Sequence, residues 1–272
     1  MKILKHLFTL AIGSILLFSC GNSTEEVTQA DPAFTIEAKI DTLASKTAYL
    51  AKYKEGNFLK LDSTTIDSGR FSFSGRVKLP NVQYIMFDER KEKIAVFIEN
   101  SEISIQGTNL NPENYTILGS GIQTQLSAFK AQVKKYDVKL KAIVDDYYAA
   151  KDANDAEDEA LLESADMKYN KEDSLKSVFI EEYISANTNS VIAPYLSTRY
   201  MMEKDLEGLV VLANSFSDSI STSEYSIALQ ERVTILQNTA IGQPAPLFAM
   251  NDKDSNSIAL ESGIAPPVIN LS

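Results

Sequence analysis

Residues 102–133 read EISIQGTNLNPENYTILGSGIQTQLSAFKAQV, and within this stretch the spacing of apolar residues changes. Ile103 and Ile105, then Tyr115 and Ile117, alternate with polar residues, as in half-buried strands. From Ile122 the steps alternate four and three through Leu126, Phe129 and Val133, then Tyr136, Leu140, Ile143 and Tyr147. This is the seam of a long helix that packs along a partner helix. The chain therefore divides near residue 120 into a β part and a helical part, and the predicted fold class is α+β.

Upstream the alternation continues in Phe34, Ile36, Ala38 and Ile40; Phe71 and Phe73; Val82, Tyr84 and Met86; and Ile94, Val96 and Ile98. Turn residues at Glu55-Gly56-Asn57, Asp67-Ser68-Gly69 and Leu79-Pro80-Asn81 punctuate these runs. Short strands so spaced predict an antiparallel β-sandwich domain over 33–120. Its alternating aromatics read as core. A chain without tryptophan lacks the residue on which exported carbohydrate binders usually rely for a stacking platform.

Downstream, the acidic run from Lys151 to Glu159 reads as a solvated helical face or turn. Leu175, Val178, Phe179 and Tyr183 then predict a helix that returns against the first. Asn187-Thr188-Asn189-Ser190 offers caps for a helix carrying Val191, Ile192, Tyr195, Leu196 and Tyr200, with Pro194 in its first turn. Asp205 is expected to open a short helix through Leu212, and Ser221 with Glu224 to form a capping box ahead of Tyr225, Leu229, Val233 and Leu236. Residues 121–239 are thus predicted to form a helical domain. The seam of its first helix is expected to face the second helix in preference to another chain.

At the N-terminus, Lys2 and Lys5 precede an apolar run, Leu7 to Phe18, that is too short to span a bilayer; Ser19 and Cys20 follow. Residues 1–19 read as a secretory signal peptide. Leu17-Phe18-Ser19-Cys20 resembles a bacterial lipobox, which implies that Cys20 becomes the first mature residue and carries a diacylglycerol on its sulfur. Acyl chains anchor in proportion to their buried methylenes, so the expected partner of this end is a membrane and the expected location the bacterial cell envelope, in the periplasm or on the outer surface. Residues 20–32, small, polar and acidic, read as the lipidated tether.

Loss of Lys2, Lys5 and His6 with the signal peptide takes the formal charge from −11 to −13 and leaves no histidine. Such negative charge repels phosphate backbones and anionic headgroups, which excludes nucleic acid and a basic-patch mode of membrane binding. A single cysteine excludes a disulfide framework. The lack of histidine excludes triads with a histidine base and most zinc sites. Candidate carboxylates for acid–base work, Asp62, Asp67, Glu99 and Asp145 with Asp146, read as turn formers or solvated charges. Asp252-Lys253-Asp254-Ser255-Asn256 alternates like a calcium loop. However, Ser257 stands where the loop glycine belongs and Gly263 where the glutamate does, so the segment reads as a hairpin turn. No catalytic, cofactor-binding or metal-ligating residue is assigned, and no cofactor is expected.

Ile241-Gly242-Gln243-Pro244-Ala245-Pro246-Leu247-Phe248, followed by the polar turn Asp252 to Asn256 and the apolar anchor Leu260, resembles the opening of a thioredoxin-like domain. The resemblance is to exported thiol-disulfide oxidoreductases of the alkyl hydroperoxide reductase and thiol-specific antioxidant family; Gly242, Ala245, Pro246 and Phe248 hold the motif positions. Phe34-x-Ile36, Asp67-x-Gly69-x-Phe71-x-Phe73-x-Gly75, Phe97-x-Glu99 and Gly119-Ser120 resemble the uncharacterised sandwich domain that often precedes such domains in lipoproteins. Asn189-Ser190-Val191 likewise resembles the helical linker that follows it.

In that family a later strand delivers Cys-x-x-Cys, whose first thiol attacks disulfides as a thiolate. Here the sequence runs to Val268-Ile269-Asn270-Leu271-Ser272, similar to the strand before that motif, with Pro266-Pro267 interrupting its lead-in. Residues 240–272 are therefore expected to be a truncated opening segment with at most a strand or two and a poorly ordered tail. The resemblance implies the accessory or binding part of an envelope thiol-disulfide oxidoreductase without its redox-active domain. The alternative expectation is a structural lipoprotein that binds a ligand or an envelope protein and is unrelated to redox chemistry.

Overall fold

The computed structural model describes residues 33–154, 159–243, 249–251, 253–255 and 257–259. Eight strands come first: β1 (Phe34–Ile40), β2 (Thr47–Lys54), β3 (Asn57–Thr65), β4 (Arg70–Gly75), β5 (Asn81–Phe87), β6 (Lys93–Ile98), β7 (Glu102–Gly107) and β8 (Tyr115–Leu118). They form two four-stranded sheets, ordered β4-β1-β7-β8 and β3-β2-β5-β6. The turn between β2 and β3 places Glu55 and Gly56 at positive φ, and the turn between β3 and β4 does the same with Ser68 and Gly69, as tight hairpins of right-handed twist require. Gly69 is doubly constrained: a Cβ there would lie 2.1 Å from the Ile40 carbonyl oxygen.

The sandwich is not wholly antiparallel. β1 pairs antiparallel with β4 but parallel with β7, Ile36 lying opposite Ile103. The chain visits the second sheet through β5 and β6 before returning as β7. Alternation reports which face is buried and is silent on strand direction.

Ile36, Ile40, Phe73 and Ile105 of one sheet meet Leu50, Ile85, Ile94 and Val96 of the other in a shared core. β5 and β6 are buried on both faces: Ile85 and Ile94 point into the sandwich, while Val82 and Phe97 join the core formed by the helices. Double coverage explains the near-continuous apolar run Ile94 to Ile98, where strict alternation would apply to a half-buried strand.

The helices are α1 (Gly121–Asn154), α2 (Glu159–Ala186), α3 (Ile192–Tyr200), α4 (Leu206–Asn214) and α5 (Glu224–Asn238), with a 3₁₀ turn at Asp218–Ile220 before the last. The seam Leu126, Phe129, Val133 and Leu140 is buried. Phe129 lies 5.8 Å from the Phe179 ring and 5.0 Å from that of Tyr183 on α2, so the seam is satisfied within the chain. Leu175 and Val178, expected in that interface, are 46% and 51% exposed; Ile180 and Ile184 are buried instead. α2 packs toward both α1 and α3, which turns its buried stripe away from the positions a simple helical pair would use.

Caps tie these elements together. Glu99, at the end of β6, accepts from the N–H groups of Gly121 and Ile122 at the start of α1. The Phe97 N–H donates to Gln123 at 2.9 Å. Asp205 caps α4, accepting from Gly208 N at 2.9 Å, as its sequence position predicts. The cap of α5 is Ser223, which accepts from Ser226 N at 3.1 Å, and not Ser221. Ser221 closes the preceding 3₁₀ turn by donating to the Asp218 carbonyl, and that extra turn moves the helix start by two residues.

β9 (Ala249–Asn251) and β10 (Ser257–Ala259) then pair antiparallel, with Met250 opposite Ile258. They flank the expected hairpin turn, in which Ser255 has φ 66. Cys20, the signal and tether segments, Ala245, Pro246, Phe248, Asp252, Asn256, Leu260 and the segment 261–272 lie outside the described residues. No helix among the described residues is long and apolar enough to cross a membrane.

Candidate functional site

Helix α5 has two apolar faces. Leu229 and Val233 are buried against Leu209 of α4. Ile227 and Ile235, about two turns apart on a different stripe, remain 47% and 54% exposed. With Ala213 near the end of α4 and Phe216 just beyond it they line a groove of about 610 Å³, within the range of ligand-sized concavities. Gln230, Glu231 and Thr234 form its polar margin. Ser226, which also lines the groove, is already engaged: it accepts from Ser223 and donates to the Ile220 carbonyl at 2.9 Å. With that proton committed to a carbonyl and no histidine among the described residues to act as base, the groove offers apolar contact and hydrogen bonding in place of nucleophilic chemistry.

A second concavity of about 600 Å³ lies beside the β5–β6 turn and is polar. Asp88 there accepts from Lys46 N and Thr47 N at 3.1 and 3.2 Å, so its carboxylate is spent in holding the turn to β2.

At the seam between sandwich and helices, the Tyr225 hydroxyl accepts from the Val82 N–H at 2.7 Å. Burial drives its pKa far above the ordinary value, with Glu224 beside it pushing the same way and the Val82 hydrogen bond opposing. Glu224 itself pairs with Lys52 of β2. Phe97 packs edge-on to Tyr195 at 5.2 Å, and Tyr195 edge-on to Tyr225 at 5.1 Å. This seam holds the sheet to α3 and α5, the element that carries the groove.

The carboxylates singled out in the sequence are not brought together. Asp62 accepts from Ser63 N at 2.7 Å, Asp67 accepts from the Ser68 hydroxyl, Glu99 caps α1, and Asp145 pairs with Lys141 one turn away. Among the described residues no group of three potential metal ligands forms. The α4–α5 groove was not foreseen. The only signal for it is that Ile227 and Ile235 fall outside the 225, 229, 233, 236 stripe.

Fold and groove together define an α+β protein in which a β-sandwich and a helical layer share packing through β5 and β6. Residues 34–126 match the family described as a domain of unknown function (DUF4369). The matched span includes the start of α1, where Gln123 holds β6 and Leu126 packs with Phe97. No curated protein and no solved structure matches the chain.

Proposed function

We propose that this protein is a cell-envelope lipoprotein, anchored through Cys20, whose sandwich and helical layer serve as the accessory, binding part of a thiol-disulfide oxidoreductase. The observation that carries the reading is the β9–β10 hairpin, which follows α5 in the order expected for the opening of a thioredoxin-like domain. The groove on α5, whose last lining residue, Ile235, precedes Ala249 of β9 by 249 − 235 = 14 positions, is the apolar surface that a thioredoxin-like body following this segment would meet. Residues 33–259 contain neither cysteine nor histidine, so their contribution is to position and bind, while thiol chemistry belongs to the body they serve.

Two measurements test this. Metabolic labelling with an alkyne fatty acid is expected to mark the chain and to fail with Cys20→Ser, which also leaves the detergent phase on phase separation; labelling of the variant removes the anchor from the reading. Deleting the protein is expected to change the thiol–disulfide balance of other envelope proteins, read by alkylation and gel shift. An unchanged balance with lipidation intact rejects the accessory role in favour of the redox-independent binding lipoprotein.

A further inference from the structure

The groove between α4 and α5 is open, and the chain carries a neutral apolar stretch within reach of it. Ile227 and Ile235 stand 235 − 227 = 8 positions apart, about 12 Å along α5, and Phe216 lines the groove with them. Glu231 is the one charged group among the lining residues. The Gln230 side-chain amide forms no hydrogen bond among the described residues, whereas the Thr234 hydroxyl donates to the Gln230 carbonyl at 2.9 Å. The groove thus has the length of an extended segment of about four residues, with an unspent amide at its margin to meet a peptide backbone.

Residues 263–271 read Gly-Ile-Ala-Pro-Pro-Val-Ile-Asn-Leu and carry no charge. Pro266 and Pro267 fix their own φ and bias Ala265 toward extended backbone, so an extended form of this stretch loses less freedom when it is bound. In that form Ile269 and Leu271 fall on one side about 7 Å apart, a spacing that fits between Ile227 and Ile235. The hairpin brings the stretch back. From Asn238, the end of α5, to Ala249 is 249 − 238 = 11 positions, and from Ala259 to Ile269 is 269 − 259 = 10. Ala249 and Ala259 stand opposite each other across β9 and β10, about 5 Å apart. The chain leaving α5 and the chain leaving the hairpin therefore have nearly the same reach, about 35 Å at full extension, and the second can retrace whatever distance the first covers. Tethering of this kind raises the local concentration of a segment to the millimolar range. A second copy would instead bring a formal charge of −11 to a chain of equal charge.

We propose that residues 268–271 lie in the α4–α5 groove as an extended segment, with Ile269 and Leu271 between Ile227 and Ile235 and the backbone bonded to the Gln230 amide. The inference rests on the reading of the groove as the surface that the following chain meets, and it needs neither the anchor nor the redox role. The test is disulfide trapping in the purified full chain in a non-ionic detergent, with Cys20→Ser throughout so that the introduced thiols are the only ones. Thr234→Cys with Asn270→Cys is expected to close an intrachain disulfide under copper–phenanthroline at least tenfold faster than Lys168→Cys on α2 with Asn270→Cys. Ile235→Arg, at an exposed position, should slow the first pair about tenfold. Should it fail to fold, Ile227→Lys, also exposed, replaces it. The proposal is overturned by equal rates for the two pairs, by an undiminished rate in the folded groove variant, or by disulfides that join two chains instead of one. Failure of trapping while deletion of the protein still shifts the thiol–disulfide balance removes this segment from the groove and leaves the accessory role; trapping without such a shift does the reverse.

Discussion

Tyr225 joins two parts of the molecule with one hydroxyl. It takes the N–H of Val82 at 2.7 Å and packs its ring between Tyr195 and Phe97. Replacing it with phenylalanine keeps the ring but strands the Val82 donor, which should cost about 1–3 kcal/mol in denaturant melts. Its pKa, like those of Tyr115, Tyr183 and Tyr195, is raised first of all by burial. A phenol whose folded pKa lies above its unfolded value adds stability that is fully present below the unfolded value. Stability should therefore be flat with respect to these groups below the ordinary tyrosine value of 10.0 and fall as pH rises above it. Melts near neutrality and at about pH 11 check this, and a smaller alkaline loss in Tyr225→Phe assigns part of it. Gly119 is the second decisive residue. It has φ 93, and a Cβ there would fall 1.8 Å from the Glu102 carbonyl oxygen at the exit of β8 toward α1. Gly119→Ala should destabilise by roughly 2–3 kcal/mol or more, and a melt within experimental scatter of wild type would contradict that.

At the scale of elements, the two apolar series of the helical layer call for opposite outcomes. Leu126 is 5% exposed and lies in the core with Phe129, Ile180 and Ile184, so Leu126→Asp should abolish the cooperative melt and yield an unfolded chain. Ile235, 54% exposed in the groove, should accept Arg with a melting temperature close to that of wild type. The α1 seam was legible because a four–three repeat sustained from Ile122 to Tyr147 fits the helical period and cannot fit the strand period of two. Six of the eight strands, β1 and β4 to β8, were legible because turn residues and alternation agree there, whereas β3 is exposed along most of its length and carries no apolar alternation. Leu175 and Val178 were misjudged because periodicity along one helix does not say how many neighbours it has. Ser221 was misjudged as a cap because a 3₁₀ turn and an α-helix start share the same serine-rich signal.

At the scale of the whole molecule, acidity acts as a diffuse cost. The described ion pairs are mostly exposed, such as Lys141–Asp145 and Lys134–Glu113, and contribute little each. Net repulsion in a chain of formal charge −11 should therefore dominate the salt response: raising NaCl from about 0.01 M to about 0.15 M is expected to increase the melting temperature, and a decrease would show that the pairs matter more than the net charge. By itself the sequence determined the α+β class, the change of period near residue 120, the hairpin turns, the internal seam of α1 and the absence of histidine and cysteine chemistry from residues 33–259. Each of these depends on local periodicity, turn geometry or residue inventory, which are properties of the chain before it folds. Tertiary structure alone decided the parallel β1–β7 pair, the double burial of β5 and β6 and the α4–α5 groove. These join residues tens of positions apart, and their proximity depends on which elements pack together, a choice that no local pattern records.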